Sequence, residues 1–446
     1  MRTLFGTDGI RGRADEFPLD DPTMFALGQA LGHRLQAHSA NPLLLLGMDT
    51  RQSGPRIARA LAAGITAGGG WARLIGVVPT PAVAYLSRII DAAAGISISA
   101  SHNPFEDNGV KVFGHDGMKL SDALEKEIED ELLALRDEGA EVPAVDLPSS
   151  PDLVRLYEDF LCEALGEHML EGRVVWLDAG NGAAFEIAPR VFRRVGADVR
   201  VMNAEPDGRN INLNSGALHP EGLAAAVRAD DEAALGVAFD GDADRAIFVD
   251  DKGNIRNGDE ILYLWATTAE RNGTLEGNTV VATVMSNLGF EKKLAADGIR
   301  LLRAPVGDKY VLEMMIANGA LLGGEQSGHV IDLAVHTTGD GVHTGLVISD
   351  LVSSADRPFS QLETFEPMPQ VLINQRVRAK PSLHTLPGYT RLLAESEDEL
   401  GDRGRILVRY SGTENLVRVM VEGESQASIT RVAERLRQSL EQAIGE

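Results

Sequence analysis

The chain has 446 residues, of which 44% are hydrophobic, and its formal net charge is −24 at pH 7. This length predicts roughly three or four domains, and the negative charge argues against nucleic acid and anionic membrane surfaces as partners. Cys162 is the only cysteine, so an intrachain disulfide is excluded and a reducing, cytoplasmic compartment is expected. The first residues lack the apolar stretch of a signal peptide, and no apolar run reaches about 18 residues, so we expect no membrane span.

The chain opens with a glycine-rich motif from Phe5 to Gly12 that contains Asp8 and Arg11. Glycines allow the backbone to approach a ligand closely. Arg11 could therefore hold a phosphate group, although a solvated turn explains the motif equally well.

Apolar runs of strand length recur along the chain, and each ends in a loop rich in Gly or Asp. Such runs, alternating with helices, are typical of parallel strands that are covered on both faces. We therefore expect several α/β units in tandem, with helices near 57–67 and at 121–138. The predicted strands are at 43–46, 94–99, 174–177, 235–239, 280–284 and 320–322.

Proline-rich and turn-forming stretches suggest where the domains meet. The last block combines strands at 405–410 and 416–422 with a helix at about 425–444, whose apolar stripe we interpret as core. The predicted boundaries divide the chain into the segments 1–150, 151–250, 251–366 and 367–446.

Ser101 lies in the loop that follows the predicted strand 94–99, next to His102, Asn103 and Pro104. A serine at such a position can be a covalent nucleophile. A turn that binds its own backbone is the alternative. Because Ser101 and His102 are adjacent, they cannot form a Ser-His-acid triad by themselves.

Asp240, Asp242 and Asp244 alternate directly after the strand 235–239. Carboxylates at alternate positions can converge on one hard cation such as Mg²⁺ or Ca²⁺. An EF-hand does not fit, because its turn glycine would fall on Arg245 and no helix precedes the loop. A solvated acidic loop is the alternative.

Two further loops carry polar groups suited to a sugar phosphate. Glu325 and Ser327 are two residues apart after an apolar strand and could grip vicinal hydroxyls, whereas His329 is interpreted as structural. The segment from Arg409 to Asn415, with Arg418 beyond it, suits a phosphate dianion. Turns without a ligand are the alternative at both places.

The order of these motifs resembles the α-D-phosphohexomutase superfamily over essentially all 446 residues. The most specific motifs are Ser101 to Pro104 and Asp240 to Arg245. Within the superfamily, the segments 5–12 and 324–329 are similar to those of the bacterial enzymes that act on glucosamine phosphates. Relatives that act on mannose or glucose phosphates usually have Met at the position of Gln326 and a His near 306–309.

The resemblance implies an α/β protein of four domains around a central cleft, three similar mixed α/β domains followed by a smaller α+β lid domain. It implies an isomerase that interconverts glucosamine 6-phosphate and glucosamine 1-phosphate through a phosphoserine and a 1,6-bisphosphate, feeding UDP-N-acetylglucosamine and cell-wall precursors. The implied catalytic residues are Ser101, Lys111, Arg11 and His102, and the implied metal ligands are Ser101, Asp240, Asp242 and Asp244. The implied substrate-binding residues are Glu325, Ser327, Arg409, Ser411, Gly412, Thr413, Asn415 and Arg418.

The resemblance also implies one Mg²⁺ per chain, a hexosamine or hexose 1,6-bisphosphate as primer, and sugar phosphates as small-molecule partners, with no nucleic acid and no membrane. A monomer and a homodimer are both compatible with it. Two alternatives stay open: a phosphomannomutase/phosphoglucomutase, and a sugar-phosphate sensor without catalysis on the same fold.

Overall fold

The structure is a computed structural model that describes residues 4–6, 8–36, 41–137, 139, 141–163, 169–411 and 415–446. The chain divides into two compact units, Met1–Thr283 with Leu302–Glu363 and Val284–Leu301 with Thr364–Glu446. Four β-sheets, accompanied by helices, confirm the predicted α/β class. Among the described helices, none is both long and apolar enough to cross a bilayer.

The first sheet has five strands in the order β1-β5-β4-β2-β3. Strand β2 is parallel to both of its neighbours, whereas β5 is antiparallel to β4 and β1. The predicted helix at 121–138 is present, and Ser121 caps it by accepting a bond from the Leu124 amide. The elements are β1 (Ile10–Arg13), α1 (Asp21–Leu35), β2 (Leu43–Met48), α2 (Gly54–Ala67), β3 (Trp71–Val77), α3 (Thr80–Ile89), β4 (Ala94–Ile98), β5 (Asp107–Gly114) and α4 (Asp122–Asp137).

The second sheet also has five strands, in the order β10-β9-β8-β6-β7. Residues 250–254 form the turn between β9 and β10, so this sheet extends to Arg256 rather than ending at residue 250. The elements are α5 (Val154–Glu163), β6 (Val174–Asp178), α6 (Ile187–Arg194), β7 (Asp198–Met202), α7 (Glu221–Ala229), β8 (Ala233–Phe239), β9 (Ala246–Asp250) and β10 (Ile255–Arg256).

The third sheet has four strands in the order β12-β11-β13-β14. The strand predicted at 320–322 lies two residues later, because Gly323 and Gly324 pair with β11 although their composition reads as a turn. The elements are α8 (Gly258–Arg271), β11 (Thr279–Thr283), α9 (Leu288–Ala296), β12 (Arg300–Ala304), α10 (Asp308–Asn318), β13 (Leu322–Gly324), β14 (Val330–Asp332) and α11 (Gly341–Ser354).

The fourth sheet has three antiparallel strands in the order β15-β17-β16. The apolar stripe of the last helix is buried against this sheet, which confirms its interpretation as core. The elements are β15 (Gln370–Arg376), α12 (Tyr389–Leu400), β16 (Gly404–Tyr410), β17 (Leu416–Gly423) and α13 (Gln426–Ile444).

The first two sheets and helices α8 and α11 share one apolar cluster. It includes Phe113 of β5, Phe248 of β9, Phe192 of α6, Ile261 of α8 and Val342 of α11. Because protein interiors are close-packed, such a shared cluster holds elements of the first three domains together. The polar loops after β4 and β8 are therefore held on a common framework.

Candidate active site

Ser101 lies at the end of β4, where the sequence predicts a loop. Its backbone is in the left-handed region with φ 52°, an unusual conformation for a residue with a side chain. The Ser101 amide donates to Ser99 Oγ at 2.8 Å, and Ser99 Oγ donates to Asp49 Oδ2 at 2.6 Å. Ser101 is 1% exposed. Local hydrogen bonds therefore maintain the unusual backbone conformation of Ser101, whose side chain is buried.

Arg51 and Asn212 hold the same loop from outside it. The buried Arg51 guanidinium donates to the carbonyl oxygens of Ser101, Asn103, Pro104 and Asp107, and to the Asp49 carboxylate. Asn212, from the second domain, donates through Nδ2 to the Ser101 carbonyl at 2.9 Å. The Ser101 loop is therefore fixed by two domains, a contact that the sequence analysis did not predict.

Asp240, Asp242 and Asp244 follow β8 and converge as the sequence predicts. Ligand oxygens of the three carboxylates all lie within 4.8 Å of one another. Ser101 Oγ donates to Asp240 Oδ2 at 2.7 Å, which brings the loops of the first and second domains together. A Cβ at Gly241 would clash with the Ser101 carbonyl, so only glycine allows this close approach.

The electrostatics of the three carboxylates fit a bound cation. Burial, then the charges of Asp244 and Asp242, raise the pKa of Asp240 well above its usual value. Burial also raises the pKa of Asp244, but Lys111 and His329 outweigh it and hold that pKa well below its usual value. Asp242 Oδ1 is buried and accepts no hydrogen bond from the described part of the chain. A divalent ion would satisfy that oxygen and offset the repulsion.

Lys111 lies on β5, opposite Ser97 of β4. Its ammonium is 2.9 Å from Asp242 Oδ2, 3.2 Å from Asp244 Oδ2 and 3.1 Å from Asp8 Oδ2. Burial lowers the pKa of Lys111, but these carboxylates outweigh burial and raise it well above its usual value. Lys111 is therefore a buried ammonium beside the Asp cluster.

Arg11 and His102 flank this cluster. The Arg11 guanidinium is paired with Asp8. His102 Nδ1 is 3.1 Å from Ser101 Oγ. Burial, followed by the charges of Arg245 and Arg11, lowers the pKa of His102 to about 4, so its imidazole is neutral near pH 7. Since the Ser101 hydroxyl donates to Asp240, this geometry has His102 Nδ1–H donating to Ser101 Oγ.

The loop at 325–329 follows β13 and contacts the second domain. The Ala246 amide donates to the Gly328 carbonyl at 3.0 Å, and Glu325 Oε1 accepts from the Gly307 amide at 3.2 Å. Ser327 is exposed and Glu325 half-buried, so both can reach a ligand. His329 is buried, accepts from the Gly339 amide and lies 3.6 Å from Asp244 Oδ1, which agrees with a structural role.

The predicted phosphate loop joins β16 and β17 in the fourth domain. Arg409 and Arg418 are direct cross-strand partners, and burial together with Arg418 lowers the pKa of Arg409. Two opposed cations are unfavourable unless an anion offsets them. Ser411 and Asn415 border the loop, whereas Gly412 and Thr413 lie outside the described residues. Lys380, which the sequence analysis missed, donates to the Ser411 carbonyl at 2.7 Å.

Other polar residues at the Asp cluster also escaped sequence reasoning. Thr80 Oγ1 donates to Asp242 Oδ2 at 2.6 Å from the start of α3. Lys119 Nζ is 2.6 Å from both Asp8 Oδ1 and Asp308 Oδ2. The only sequence signal was a charged or hydroxyl residue near the end of a strand, which is too common to identify a site.

Family models match nearly the whole chain in domain order. The four matches are described as phosphoglucomutase/phosphomannomutase alpha/beta/alpha domain I at residues 2–138, domain II at 157–253, domain III at 257–367 and the C-terminal domain at 372–439. The four-domain architecture that the sequence predicts is thereby confirmed.

Curated relatives match over their full length. The chain is 48% identical over 446 residues to a phosphoglucosamine mutase from Solibacter usitatus (strain Ellin6076), covering 100% of both chains. It is 47% identical over 456 residues to a phosphoglucosamine mutase from Koribacter versatilis (strain Ellin345), covering 100% of this chain and 98% of the relative.

Solved structures share the fold at low sequence identity. A phosphoglucomutase/phosphomannomutase family protein from Burkholderia thailandensis superposes with a TM-score of 0.82 at 24% identity, covering 99% of this chain and 97% of its own. The Aspergillus fumigatus N-acetylphosphoglucosamine mutase, solved with GlcNAc-6P and magnesium, gives a TM-score of 0.66 at 16% identity and covers 98% and 95%. With the family models and the curated relatives, these matches show that the chain belongs to the phosphoglucomutase/phosphomannomutase family.

Proposed function

We propose that this chain is a phosphoglucosamine mutase, an isomerase that interconverts glucosamine 6-phosphate and glucosamine 1-phosphate. The observation that carries the proposal is the Ser101 hydroxyl, which is 2.7 Å from Asp240 within a cluster of three carboxylates. The names of the curated relatives support the choice of glucosamine phosphate. The product would feed UDP-N-acetylglucosamine and cell-wall precursor synthesis.

Ser101 carries a phosphoryl group in the resting enzyme. In the first transfer, a bond forms between the phosphorus and the free hydroxyl oxygen of the sugar, and the bond from phosphorus to Ser101 Oγ breaks. The sugar hydroxyl loses its proton and Ser101 Oγ gains one, giving a 1,6-bisphosphate. Transfer of the other phosphate back to Ser101 completes the reaction, and a hexosamine or hexose 1,6-bisphosphate primes an enzyme that has lost its phosphate.

Phosphoryl transfer depends mainly on positioning and charge neutralisation. Asp240, Asp242, Asp244 and the Ser101 phosphate would hold one Mg²⁺, which supplies positive charge beside the transferred group. Lys111 is the buried ammonium at this cluster, its raised pKa keeps it protonated, and we assign to it stabilisation of the charge on the transferred phosphoryl group. Arg11 stabilises the phosphate charge, and neutral His102 positions Ser101 Oγ through its Nδ1–H.

Binding of the sugar and binding of the second phosphate are separate tasks. Glu325 and Ser327 hold sugar hydroxyls, which look similar in the two binding orientations that the reaction requires. Arg409, Ser411, Asn415 and Arg418, with Gly412 and Thr413 between them in sequence, bind the phosphate that is not reacting. In this proposal the enzyme is cytoplasmic, as a monomer or a homodimer.

The test is turnover on a panel of hexose and hexosamine 6-phosphates with Mg²⁺ and a 1,6-bisphosphate primer. We expect the largest kcat/KM for glucosamine 6-phosphate. A larger value for mannose or glucose 6-phosphate would instead indicate a phosphomannomutase/phosphoglucomutase. Binding of these compounds without turnover of any of them would indicate a sensor.

A further inference from the structure

A row of alternating charges crosses the first unit from the second domain to the third. Lys111 contacts Asp242 and Asp244 on one side and Asp8 Oδ2 at 3.1 Å on the other. Asp8 Oδ1 is 2.6 Å from Lys119 Nζ, and Lys119 Nζ is 2.6 Å from Asp308 Oδ2. Each cation in this row thus lies between carboxylates.

The side chains of this row are shielded from solvent. The exposed fraction is 2% for Lys111, 14% for Lys119, 16% for Asp308 and 26% for Asp8. Burial lowers the pKa of Lys119, but Asp308 and Asp8 outweigh burial and raise it. Charges that are removed from water interact more strongly than surface pairs, so these contacts fix side-chain positions.

The fold explains how Lys119 comes to lie in this row. Lys119 forms an antiparallel bridge with Phe113 of β5, two residues after Lys111. Directly opposed residues share a face of a sheet, and alternate residues of one strand do too. Lys119 and Lys111 are therefore presented on the same face, close enough for one carboxylate to bind both.

Asp8 has a particular place among the partners of Lys111. The other two, Asp242 and Asp244, are the proposed ligands of the cation. When a cation binds Asp242 and Asp244, Asp8 is the carboxylate that still pairs with Lys111. Asp8 is itself held by Lys119 and by Arg11.

The third domain anchors the other end of the row. Asp308 is the first residue of α10 and follows Gly307, whose amide donates to Glu325 Oε1 at 3.2 Å. Lys119 therefore connects Asp8, which pairs with Lys111, to the segment 307–308, which contacts Glu325.

We propose that Lys119 is a positioning residue of the transfer reaction: anchored by Asp308, it holds Asp8 against Lys111. The inference rests on the proposed function, because it assigns Lys119 an effect on the step that Lys111 serves. The ion pairs of Lys119 are with Asp8 and Asp308, which places it one contact away from Lys111. Its loss should therefore lower kcat more than it changes KM.

The experiment compares Lys119→Met with Lys126→Met in the full-length enzyme. Lys126 is a matched control, because it forms an exposed 2.8 Å pair with Asp130 on α4, outside the site. We measure kcat and KM for glucosamine 6-phosphate, the thermal midpoint, and the shift of that midpoint on adding Mg²⁺. We expect Lys119→Met to lower kcat roughly ten- to hundredfold with KM within about threefold, and to keep the Mg²⁺ shift.

Two results would overturn the inference while leaving the proposed function intact. One is a kcat for Lys119→Met equal to that of the Lys126→Met control. The other is a loss of activity that occurs together with a fallen thermal midpoint and a lost Mg²⁺ shift, which would make Lys119 a structural residue only. An inactive wild-type enzyme would overturn both proposals, so the two failures are distinguishable.

A double-mutant cycle tests the role of Asp308. Asp308→Asn alone should lower kcat in the same direction, since Lys119 loses its anchor. Combined with Lys119→Met, it should add little, because both changes break one connection. Independent effects that multiply in the double variant would overturn this part of the inference.

Discussion

Ser101 combines a hydroxyl, a left-handed backbone and a neighbouring carboxylate cluster. We predict that active protein carries a phosphate on this residue. Intact-mass measurement should show a phosphorylated form, and Ser101→Ala should abolish both that form and mutase turnover. Ser121→Ala, which removes only a helix-capping hydroxyl, should retain both. Full turnover by the Ser101→Ala enzyme would refute the covalent mechanism.

Asp242 lies between the two other carboxylates in sequence and has a buried oxygen with no hydrogen bond from the described residues. We predict that Asp242→Asn greatly weakens Mg²⁺ binding and lowers kcat, because an amide carries no negative charge for the cation. Titration of the thermal midpoint with Mg²⁺ measures the loss without relying on activity. The exposed Asp130→Asn is the control, and an unchanged titration for Asp242→Asn would exclude this loop as the metal site.

At the scale of residues, the sequence predicted site residues that directly follow a recognisable strand. Ser101 and the three aspartates each follow a buried strand, β4 of the first sheet and β8 of the second, and loops after the carboxyl ends of parallel strands commonly carry functional residues. Lys119 and Asp308 were missed, because they are 189 residues apart and meet only where two domains pack together. No spacing rule predicts such a contact.

At the scale of elements, strands β16 and β17 place Arg409 opposite Arg418. We predict that Arg409→Ala raises KM roughly ten- to hundredfold, since a charge-assisted bond to phosphate is worth about 1.5–3 kcal/mol. Removing one of two opposed cations should also leave the thermal midpoint unchanged or higher. The phosphate content of Ser101 and the Mg²⁺ titration should stay as in the wild type.

A control for this prediction is Arg431→Ala on α13, whose guanidinium pairs with Glu399 on the surface. It should leave KM unchanged. An unaltered KM for Arg409→Ala would mean that the phosphate binds elsewhere.

Apolar runs and apolar periodicity predicted some of the strands and helices, as α4 and α13 illustrate, whereas others, such as β5 and α8, were not predicted. The prediction for strand β13 was two residues too early, because its pairing residues Gly323 and Gly324 have no side chains that would mark them as strand. A Cβ at Gly324 would clash with the His329 carbonyl, so close backbone approach explains the glycine. Such a requirement comes from the neighbouring strand and leaves no periodic pattern.

At the scale of the molecule, His336 joins the third domain to the first. Its Nε2–H donates to the Pro81 carbonyl at 3.0 Å, and its Nδ1 accepts from the Thr337 amide at 2.8 Å, so the ring is neutral. Burial, followed by His343, lowers its pKa from 6.5 to about 3. Between these pH values the unfolded chain binds a proton that the folded chain does not, so stability falls as the pH falls.

We predict that this histidine lowers the free energy of unfolding by about 1.6 kcal/mol between pH 6.5 and pH 5. His336→Gln keeps a donor and an acceptor but does not titrate, so its stability should fall less over this interval. Urea unfolding at the two pH values measures the difference. The exposed His384→Gln should behave as the wild type, and equal losses in the wild type and His336→Gln would contradict the prediction.

The contacts of Ser101 with Arg51 and Asn212 also bear on how such an enzyme could be divided or recombined. The first domain contains Ser101 and Arg51, but it borrows the Asn212 amide and the Asp240 carboxylate from the second domain. A gene fragment that encodes the first domain alone therefore encodes Ser101 without part of its hydrogen-bonding environment. Recombination between homologous genes should preserve activity only when the first two domains are inherited from one parent or when their shared contacts are matched.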